Sequence, residues 1–197
     1  MRKRFYGSPL VPFTFLFFLF SLIIIPGDII GQGVAVSAAE TEEIEKRSAL
    51  KEIRSEDGRF LDNGDGTIID SKTNLIWTKK DSYSDLGKCL NWHESKEYVD
   101  GLKTGGHSDW RMPTVKELKT IFEVSKSNHL VYDHDKEYPL HLDSIFAAGA
   151  AYGFWTSEDA GFCCARTFYF SNGKEYKVSR DFCERRGVRA VRLKLTV

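Results

Sequence analysis

The order of the short apolar segments along the chain is the feature that most limits its fold. β-favouring segments come first, two helical segments follow, and further β-favouring segments end the chain. This order indicates an α+β domain with antiparallel strands and two helices, because a parallel α/β sheet would alternate strands with helices. We expect the N-terminal and C-terminal strands to lie next to each other and close the domain.

The first β-favouring segment contains a hairpin signal. Two β-favouring runs flank the turn residues 63–66, which read Asn-Gly-Asp-Gly. Asn and Gly tolerate the positive φ angles that a tight turn requires. The loop does not fit an EF-hand, because counting from Asp62 places Gly64 and Gly66 where side-chain oxygens are needed. We therefore predict a turn rather than a calcium site, followed by a short strand at residues 75–77.

The middle of the chain predicts two helices. Residues 88–103 carry Trp92, Val99 and other buried-type residues at helical spacing. The second, shorter helix is expected after Pro113, since Thr114 and Glu117 form a capping-box pattern. Further strands are predicted at residues 152–157, 164–170, 174–178 and 187–195, the middle two joined by an Asn-Gly turn at 172–173.

The N-terminus has the order of a targeting segment. Basic residues at positions 2–4 precede an apolar run at 10–25, and small residues follow at 36–39. Those small residues lie far from the apolar run, so an uncleaved membrane anchor is the alternative to a signal peptide. In both cases we expect an exported protein that is periplasmic, on the cell surface or secreted, with membrane contact only through this segment. The predicted organisation is a signal peptide or anchor at residues 1–39, a charged helical linker at 40–58 and one domain at 59–197.

The charge is balanced over the whole chain but uneven along it. Equal numbers of basic and acidic residues, 28 of each, argue against nucleic acid as a partner. From residue 161 onward, however, nine basic residues stand against three acidic ones. This excess predicts a basic face for an anionic partner, with a merely solvated strand surface as the alternative. The candidate ligand-binding residues are Arg180, Arg185, Arg186, Arg189 and Arg192.

The four cysteines are expected to form disulfides outside the cytoplasm. Adjacent cysteines rarely bridge each other, so we predict that Cys89 pairs with Cys163 or Cys164 and that Cys183 takes the other. Free buried thiols are the alternative. A zinc site is not expected, because no Cys-x-x-Cys spacing occurs.

Residues 125–151 are predicted to form a long irregular loop, a kind of segment that is often functional. It contains side chains that could bind a metal, but their spacing matches no zinc pattern, and we predict no metal and no cofactor. These side chains belong to His129, Asp133, His134, Asp135 and His141.

The remaining motif residues are predicted to build the scaffold rather than a site. Trp110 would anchor the core, and Arg111 presents a planar fork that suits the carboxylate of Asp109 or Glu117. The other tryptophans are also expected in the core rather than as sugar platforms. The predicted structural residues are Asp62, Gly64, Asp65, Gly66, Trp77, Trp92, Gly106, Asp109, Trp110, Arg111, Pro113, Thr114, Glu117 and Trp155.

Several of these motifs together resemble the Lcl C-terminal domain family, named after a collagen-like adhesin of Legionella. The resemblance covers about residues 59–194 and is most specific at 105–118, which read GGHSDWRMPTVKEL. Asn74, Met112 and Ala190 depart from the family pattern. The resemblance implies a C-type-lectin-like or related fold in an exported bacterial protein, and the adhesin implies binding of sulfated polysaccharide and attachment to surfaces.

The function expected from these features is non-enzymatic binding of a surface or an anionic polysaccharide, in an adhesion-type role. The first alternative is a structural or assembly component of the cell envelope with a protein partner, and a homo-oligomer is compatible with either. The second alternative is a cysteine oxidase, because the Trp-Arg-x-Pro-Thr stretch at residues 110–114 also resembles the formylglycine-generating enzyme family. The cysteines do not follow that family's pattern, so we predict no enzyme.

Overall fold

The computed structural model describes residues 53–126 and 139–194, together with Ser37 and Thr41. The backbone N–H of Thr41 donates to the Ser37 carbonyl at 3.1 Å. Apart from Ser37, the predicted targeting segment lies outside the described residues. Most of the predicted linker and the metal-capable residues His129, Asp133, His134 and Asp135 lie outside them as well. In the part of the chain that is described, no helix is long and apolar enough to cross a membrane.

The first sheet brings the two ends of the domain together. The predicted hairpin is confirmed, with Asp62 opposite Ile68 across the turn. The predicted adjacency of N- and C-terminal strands is also confirmed, because Trp77 lies opposite Val191 in an antiparallel pair. The strand order is β1-β2-β3-β4-β9, with β1 Ile53–Arg54, β2 Phe60–Asp62, β3 Thr67–Asp70, β4 Leu75–Thr78 and β9 Val191–Leu193.

The end of the segment predicted as a helical linker is a strand. Ile53 and Arg54 pair with β2, where they lie opposite Asp62 and Leu61. Ser55, which follows, is buried, and its hydroxyl accepts the Phe60 backbone N–H at 2.8 Å. The prediction was wrong here because the apolar spacing of the segment could not reveal a long-range strand partner.

Three α-helices lie among the described residues: α1 Ser82–Leu86, α2 Trp92–Gly101 and α3 Val115–Thr120. The two predicted helices are confirmed as α2 and α3, while the sequence reasoning missed the five-residue α1. Each helix begins with a capping box, in which the side chain of Asp81, Asn91 or Thr114 accepts a backbone N–H of the first turn. A short 3₁₀ turn, Thr104–Gly106, follows α2.

The second sheet carries the C-terminal hairpin. Its strand order is β7-β6-β5-β8, with β5 Gly153–Asp159, β6 Cys164–Tyr169, β7 Lys174–Ser179 and β8 Arg186–Gly187. The hairpin predicted across the Asn-Gly turn is confirmed as β6 and β7. All pairs in this sheet are antiparallel except β5 with β8, which is parallel.

The last strand, predicted as one run over residues 187–195, is divided between the two sheets. β8 pairs with β5, whereas β9 joins β4 in the first sheet. Between them the chain is held by Val188, whose carbonyl accepts the Ser82 backbone N–H at 2.9 Å, and by Ala190, whose carbonyl accepts the Thr78 N–H at 3.0 Å. Side-chain alternation could not predict this division, because it depends on bonds to residues more than a hundred positions away.

Two apolar clusters form the core. Trp77 is fully buried in the larger cluster, and Trp155 is fully buried in the smaller one. Phe154 and Trp155 point to opposite faces of β5 and enter different clusters. The second sheet is therefore covered by apolar side chains on both faces over part of its length.

Candidate functional site

A cleft of about 520 Å³ opens at one end of the second sheet. Its walls come from three parts of the chain: the residue before β5, the end of β6 with the turn that follows it, and the loop before β8. The lining residues are Tyr152, Tyr169, Ser171, Asn172, Glu184 and Arg185. The volume lies within the range of small-ligand sites, and tyrosine, hydroxyl and amide groups around such a cleft suit a ligand with both apolar and polar faces.

A glycine makes room for the central tyrosine of the cleft. Gly153 lies opposite Tyr169 in the β5–β6 pair. A Cβ atom at Gly153 would lie only 2.7 Å from Cε2 of Tyr169, far inside van der Waals contact. The ring of Tyr169 thus rests directly on the β5 backbone, and no larger residue at position 153 leaves it there.

The turn between β6 and β7 holds the polar rim of the cleft. The side-chain oxygen of Asn172 accepts the Lys174 backbone N–H at 3.0 Å, and its amide nitrogen donates to the hydroxyl of Tyr176 at 2.9 Å. Gly173 adopts φ +68°, and a Cβ atom there would lie 2.7 Å from the Phe122 ring. The Asn-Gly pair is therefore required both by the left-handed turn and by the packing beneath it.

The loop that forms the opposite wall is tied to the core. The Cys89–Cys183 disulfide holds its start, with the two Cα atoms 5.5 Å apart. The Tyr152 backbone N–H donates to the Arg185 carbonyl at 3.0 Å. Arg185 has φ +52°, a left-handed conformation that is uncommon for a residue other than glycine and that concentrates at functional sites.

Arginine guanidinium groups lie over the tyrosines of the cleft. Arg185 lies over Tyr152 at 5.4 Å from the ring centre, and Arg186 lies over Tyr169 at 6.0 Å. Among the described residues that line the cleft, Glu184 is the one acid, and its carboxylate is 3.7 Å from the Arg186 guanidinium. The polar lining of the cleft thus contains the exposed residue Arg185 and the carboxylate of Glu184, which faces Arg186.

The five arginines predicted to form one basic face are dispersed. Arg185 is exposed in the cleft, and Arg180 binds Asp159 and the Phe162 carbonyl. Arg186, Arg189 and Arg192 are at least 93% buried, so these three do not form a basic surface with the others. The excess of basic over acidic residues predicted an exposed basic face, but the fold buries Arg186, Arg189 and Arg192.

Arg189 and Arg192 each have a structural partner. The Arg189 guanidinium donates to the carbonyls of Thr78 and Lys79 at 2.7 and 2.6 Å and forms a buried ion pair with Asp81. Nε of Arg192 donates to Asp109 at 2.7 Å, and this bond lowers the pKa of the Asp109 carboxyl. Both arginines therefore fasten the C-terminal segment to the rest of the fold.

The Asp-Gly turn of the first hairpin uses its carboxylates internally. Asp62 accepts the Gly64 backbone N–H at 2.9 Å and pairs with Lys79 at 2.6 Å. Asp65 accepts both the backbone N–H and the hydroxyl of Thr67. These contacts give each carboxylate a role in the turn, and the described residues contain no cluster of three metal-binding side chains.

The central Trp-Arg motif fastens a helix and a strand. Arg111 makes a two-point contact with Glu117 at 2.9 and 2.5 Å, while Trp110 is 5% exposed and donates its ring N–H to the Thr104 carbonyl. Burial would raise the pKa of Glu117, but hydrogen bonds from Arg111 and Thr114 outweigh it and hold the pKa below its ordinary value. Of the two carboxylates considered for Arg111, Glu117 is therefore its partner.

Other predicted structural residues border smaller cavities. Trp92 is half-buried beside Arg111 and Met112 in a groove of about 330 Å³, where its ring N–H donates to the Thr156 carbonyl. Gly66 borders a cavity of about 190 Å³ that is also lined by Tyr98 and Asp85. Burial, followed by the charge of Asp85, raises the pKa of the Tyr98 hydroxyl.

Two further predicted residues have ordinary backbone roles. The carbonyl of Pro113 accepts the Ser157 N–H at 2.8 Å, and Gly106 has φ +74° in the turn after α2. Among the metal-capable loop residues, His141 lies in the described part of the chain, with Nδ1 3.0 Å from the Lys126 carbonyl oxygen.

The predicted disulfide pairing is wrong. Cys89 bonds to Cys183, and the adjacent residues Cys163 and Cys164 bond to each other, so all four cysteines are oxidised. Adjacent cysteines rarely pair, but the fold brings the loop that contains Cys183 against Cys89 and so outweighs this preference. The Leu90 N–H, next to Cys89, donates to the Arg186 carbonyl across the same junction.

Sequence reasoning missed five of the cleft residues: Tyr152, Tyr169, Ser171, Asn172 and Glu184. The signal that could have found them is the exposed Asn-Gly turn placed directly after a tyrosine-bearing strand. The Asn-Gly pair was interpreted only as a hairpin turn, because no nearby sequence feature shows that Tyr152 and Arg185 lie beside it.

The two sheets, capped helices and paired cysteines define a small disulfide-containing α+β domain. The profile of the Lcl C-terminal domain family matches residues 66–192, which is more than half of the chain. The chain belongs to that family. No curated protein matches it.

Proposed function

We propose that this chain is an exported, non-enzymatic binding protein that recognises an anionic polysaccharide in the Tyr152–Arg185 cleft. The single observation that carries the proposal is the cleft itself, which is lined by Tyr152, Tyr169 and the exposed residue Arg185. Sugar rings have an apolar face that packs on tyrosine, while their acidic groups suit a guanidinium. Ser171 and Asn172 add hydroxyl and amide groups of the kind that fix the orientation of a polar ligand.

The N-terminal segment and the two disulfides both support export. The basic and apolar N-terminus has the order of a targeting segment. The two disulfides fit an oxidising compartment, since cytosolic thiols are kept reduced. A C-type-lectin-like fold is part of the proposal, and the pairing of the N-terminal sheet with the last strand supports it.

The test is binding of immobilised sulfated and uronic-acid glycans over a salt series. We expect binding that falls steeply as salt rises, because exposed charges are screened. Arg185→Glu should lower the affinity about tenfold, since it places a negative charge beside the ligand. Lys194→Glu makes the same change at an exposed position after β9 and should leave the affinity unchanged. Absence of glycan binding, or binding that ignores salt and Arg185, would exclude the proposal.

A second function, a structural or assembly component of the envelope, is favoured by a different surface. Phe162 is fully exposed and Phe182 is 57% exposed, on loops joined by the bond from the Arg180 N–H to the Cys163 carbonyl. Exposed aromatic groups of this kind are typical of protein contacts. A defined envelope protein that co-purifies with the chain, and is lost in a Phe162→Ser and Phe182→Ser variant, would support this function.

A further inference from the structure

We infer that the cleft is one end of a longer binding surface along β7, and that its ligand is a linear anionic oligosaccharide of at least two sugar units. The inference rests on the proposed function and names the length and shape of the ligand. Tyr176 and Lys174, which do not line the cleft, would form the second subsite.

The strand register places these residues on the face that carries Tyr169. Lys174 lies opposite Tyr169, and Tyr176 lies opposite Thr167. Directly opposed and alternate residues of a sheet share one face. The rings of Tyr169 and Tyr176 accordingly meet edge to face, with their centres 4.9 Å apart.

Tyr176 is held in place but remains accessible. It is 40% exposed, and the Asn172 amide donates to its hydroxyl at 2.9 Å. The aromatic surface therefore continues from the cleft past Tyr169 and onto the sheet edge, because β7 is the outermost described strand of the second sheet. Two successive tyrosine rings exceed what one sugar ring needs and suit consecutive units of a chain.

The charges on this face are arranged for repeated negative groups. Lys174 is exposed on the β7 side of Tyr169, and Arg185 lies across the cleft from the β6–β7 turn. The acid of the same strand, Glu175, points to the other face, where it contacts Lys119 at 3.3 Å and Arg166 at 3.2 Å. The Glu175 carboxylate therefore lies on the face opposite the proposed binding surface, where two cations balance its charge.

The experiment compares oligosaccharide lengths and two faces of one strand. Heparin-derived disaccharide and hexasaccharide, and poly-glutamate for comparison, are titrated calorimetrically into the full chain. The two heparin fragments are also titrated into its variants Lys174→Glu, Lys177→Glu, Tyr176→Ala and Arg185→Glu. Lys177 is an exposed lysine of the same strand on the face opposite Lys174, so it is a matched control for the charge change. Circular dichroism and thermal unfolding confirm that each variant is folded.

We expect the hexasaccharide to bind about tenfold more tightly than the disaccharide, because it occupies both subsites. Lys174→Glu and Tyr176→Ala should remove most of this difference while leaving disaccharide affinity within about twofold of the unchanged protein. Lys177→Glu should preserve the difference. An acidic peptide, poly-glutamate, is expected to bind more weakly than the hexasaccharide because it has no ring face to stack on tyrosine.

Equal affinity for both lengths, or an equal effect of Lys174→Glu and Lys177→Glu, would overturn the extended surface. If the extended surface were overturned in this way but Arg185→Glu abolished disaccharide binding, the proposed function of the cleft would still be supported. Tighter binding of poly-glutamate would overturn the choice of an oligosaccharide. If neither heparin fragment bound, both the extended surface and the proposed function would be overturned.

Discussion

Arg189 and Asp81 form an ion pair at 3.2 Å in which neither side chain reaches solvent. They lie 108 positions apart in the chain. Burial lowers the pKa of Arg189 and raises that of Asp81, and the attraction between them opposes both effects. Asp81 also caps α1, so this pair links the helix start to the segment between β8 and β9.

Arg189→Met should therefore strongly destabilise the domain. Methionine keeps the packing against the Phe146 ring, over which the guanidinium lies at 4.8 Å, but it leaves the Asp81 carboxylate unpaired. Breaking a buried pair on one side costs about 3–5 kcal/mol. Urea unfolding should report this loss in the free energy of unfolding, with partial recovery when Asp81→Asn is added. An unchanged midpoint in the single variant would contradict a role for the pair.

The stability of the domain should fall in acid partly through Asp70. This carboxylate is fully buried and accepts two bonds from Arg59 at 2.8 and 2.6 Å. Burial would raise its pKa, but the hydrogen bonds from Arg59 and Thr73 outweigh burial and lower it. Its contribution is therefore complete above the unfolded pKa of about 3.9 and is lost as the pH falls below that value towards the folded pKa.

Denaturation curves measured from pH 7 to pH 2 check this dependence. Asp70→Asn should be less stable at pH 7 and should lose less stability on acidification than the unchanged protein. Asp100→Asn removes an exposed carboxylate that pairs with Lys96 and should retain most of the acid dependence. Identical slopes for Asp70→Asn and the unchanged protein would contradict the assignment.

The two disulfides should differ in their effect on stability. The Cys89–Cys183 bond joins residues 94 positions apart, whereas the Cys163–Cys164 bond joins neighbours. In the chain-entropy account, a bond across a long loop restricts the unfolded chain far more than a bond between neighbours. Replacing the first pair by serine should cost about 2–5 kcal/mol, and replacing the second should cost much less. Equal losses in urea unfolding under oxidising conditions would refute this ranking.

Gly153→Ala should disturb the cleft at its centre. The added methyl group would meet the Tyr169 ring at 2.7 Å, and overpacking of this kind costs about 1–3 kcal/mol. Thermal unfolding and glycan binding should both weaken. Gly101→Ala adds the same group at the end of α2, where no described residue would lie within 4 Å of it, and should be neutral or slightly stabilising. Equal behaviour of the two variants would show that the close approach of Tyr169 is unimportant.

Most of the local elements could be predicted from the sequence alone. The Asn-Gly and Asp-Gly turns, the capping box at Thr114 and the burial of Trp77 and Trp155 could all be predicted, because each depends on neighbours within a few positions or on apolar character. These features also carried the resemblance to the Lcl C-terminal domain family.

Contacts between residues far apart in the chain depend on the tertiary structure. It split the last strand between two sheets, turned Arg189 inward to Asp81, and joined Cys89 to Cys183. It also brought Tyr152, Tyr169 and Arg185 around one cleft. Sequence alternation describes which side of a strand a residue occupies, but not which element covers that side. Whether an arginine is buried or exposed depends on that covering element. A guanidinium can be buried only where the fold supplies carboxylates and carbonyls to bind it.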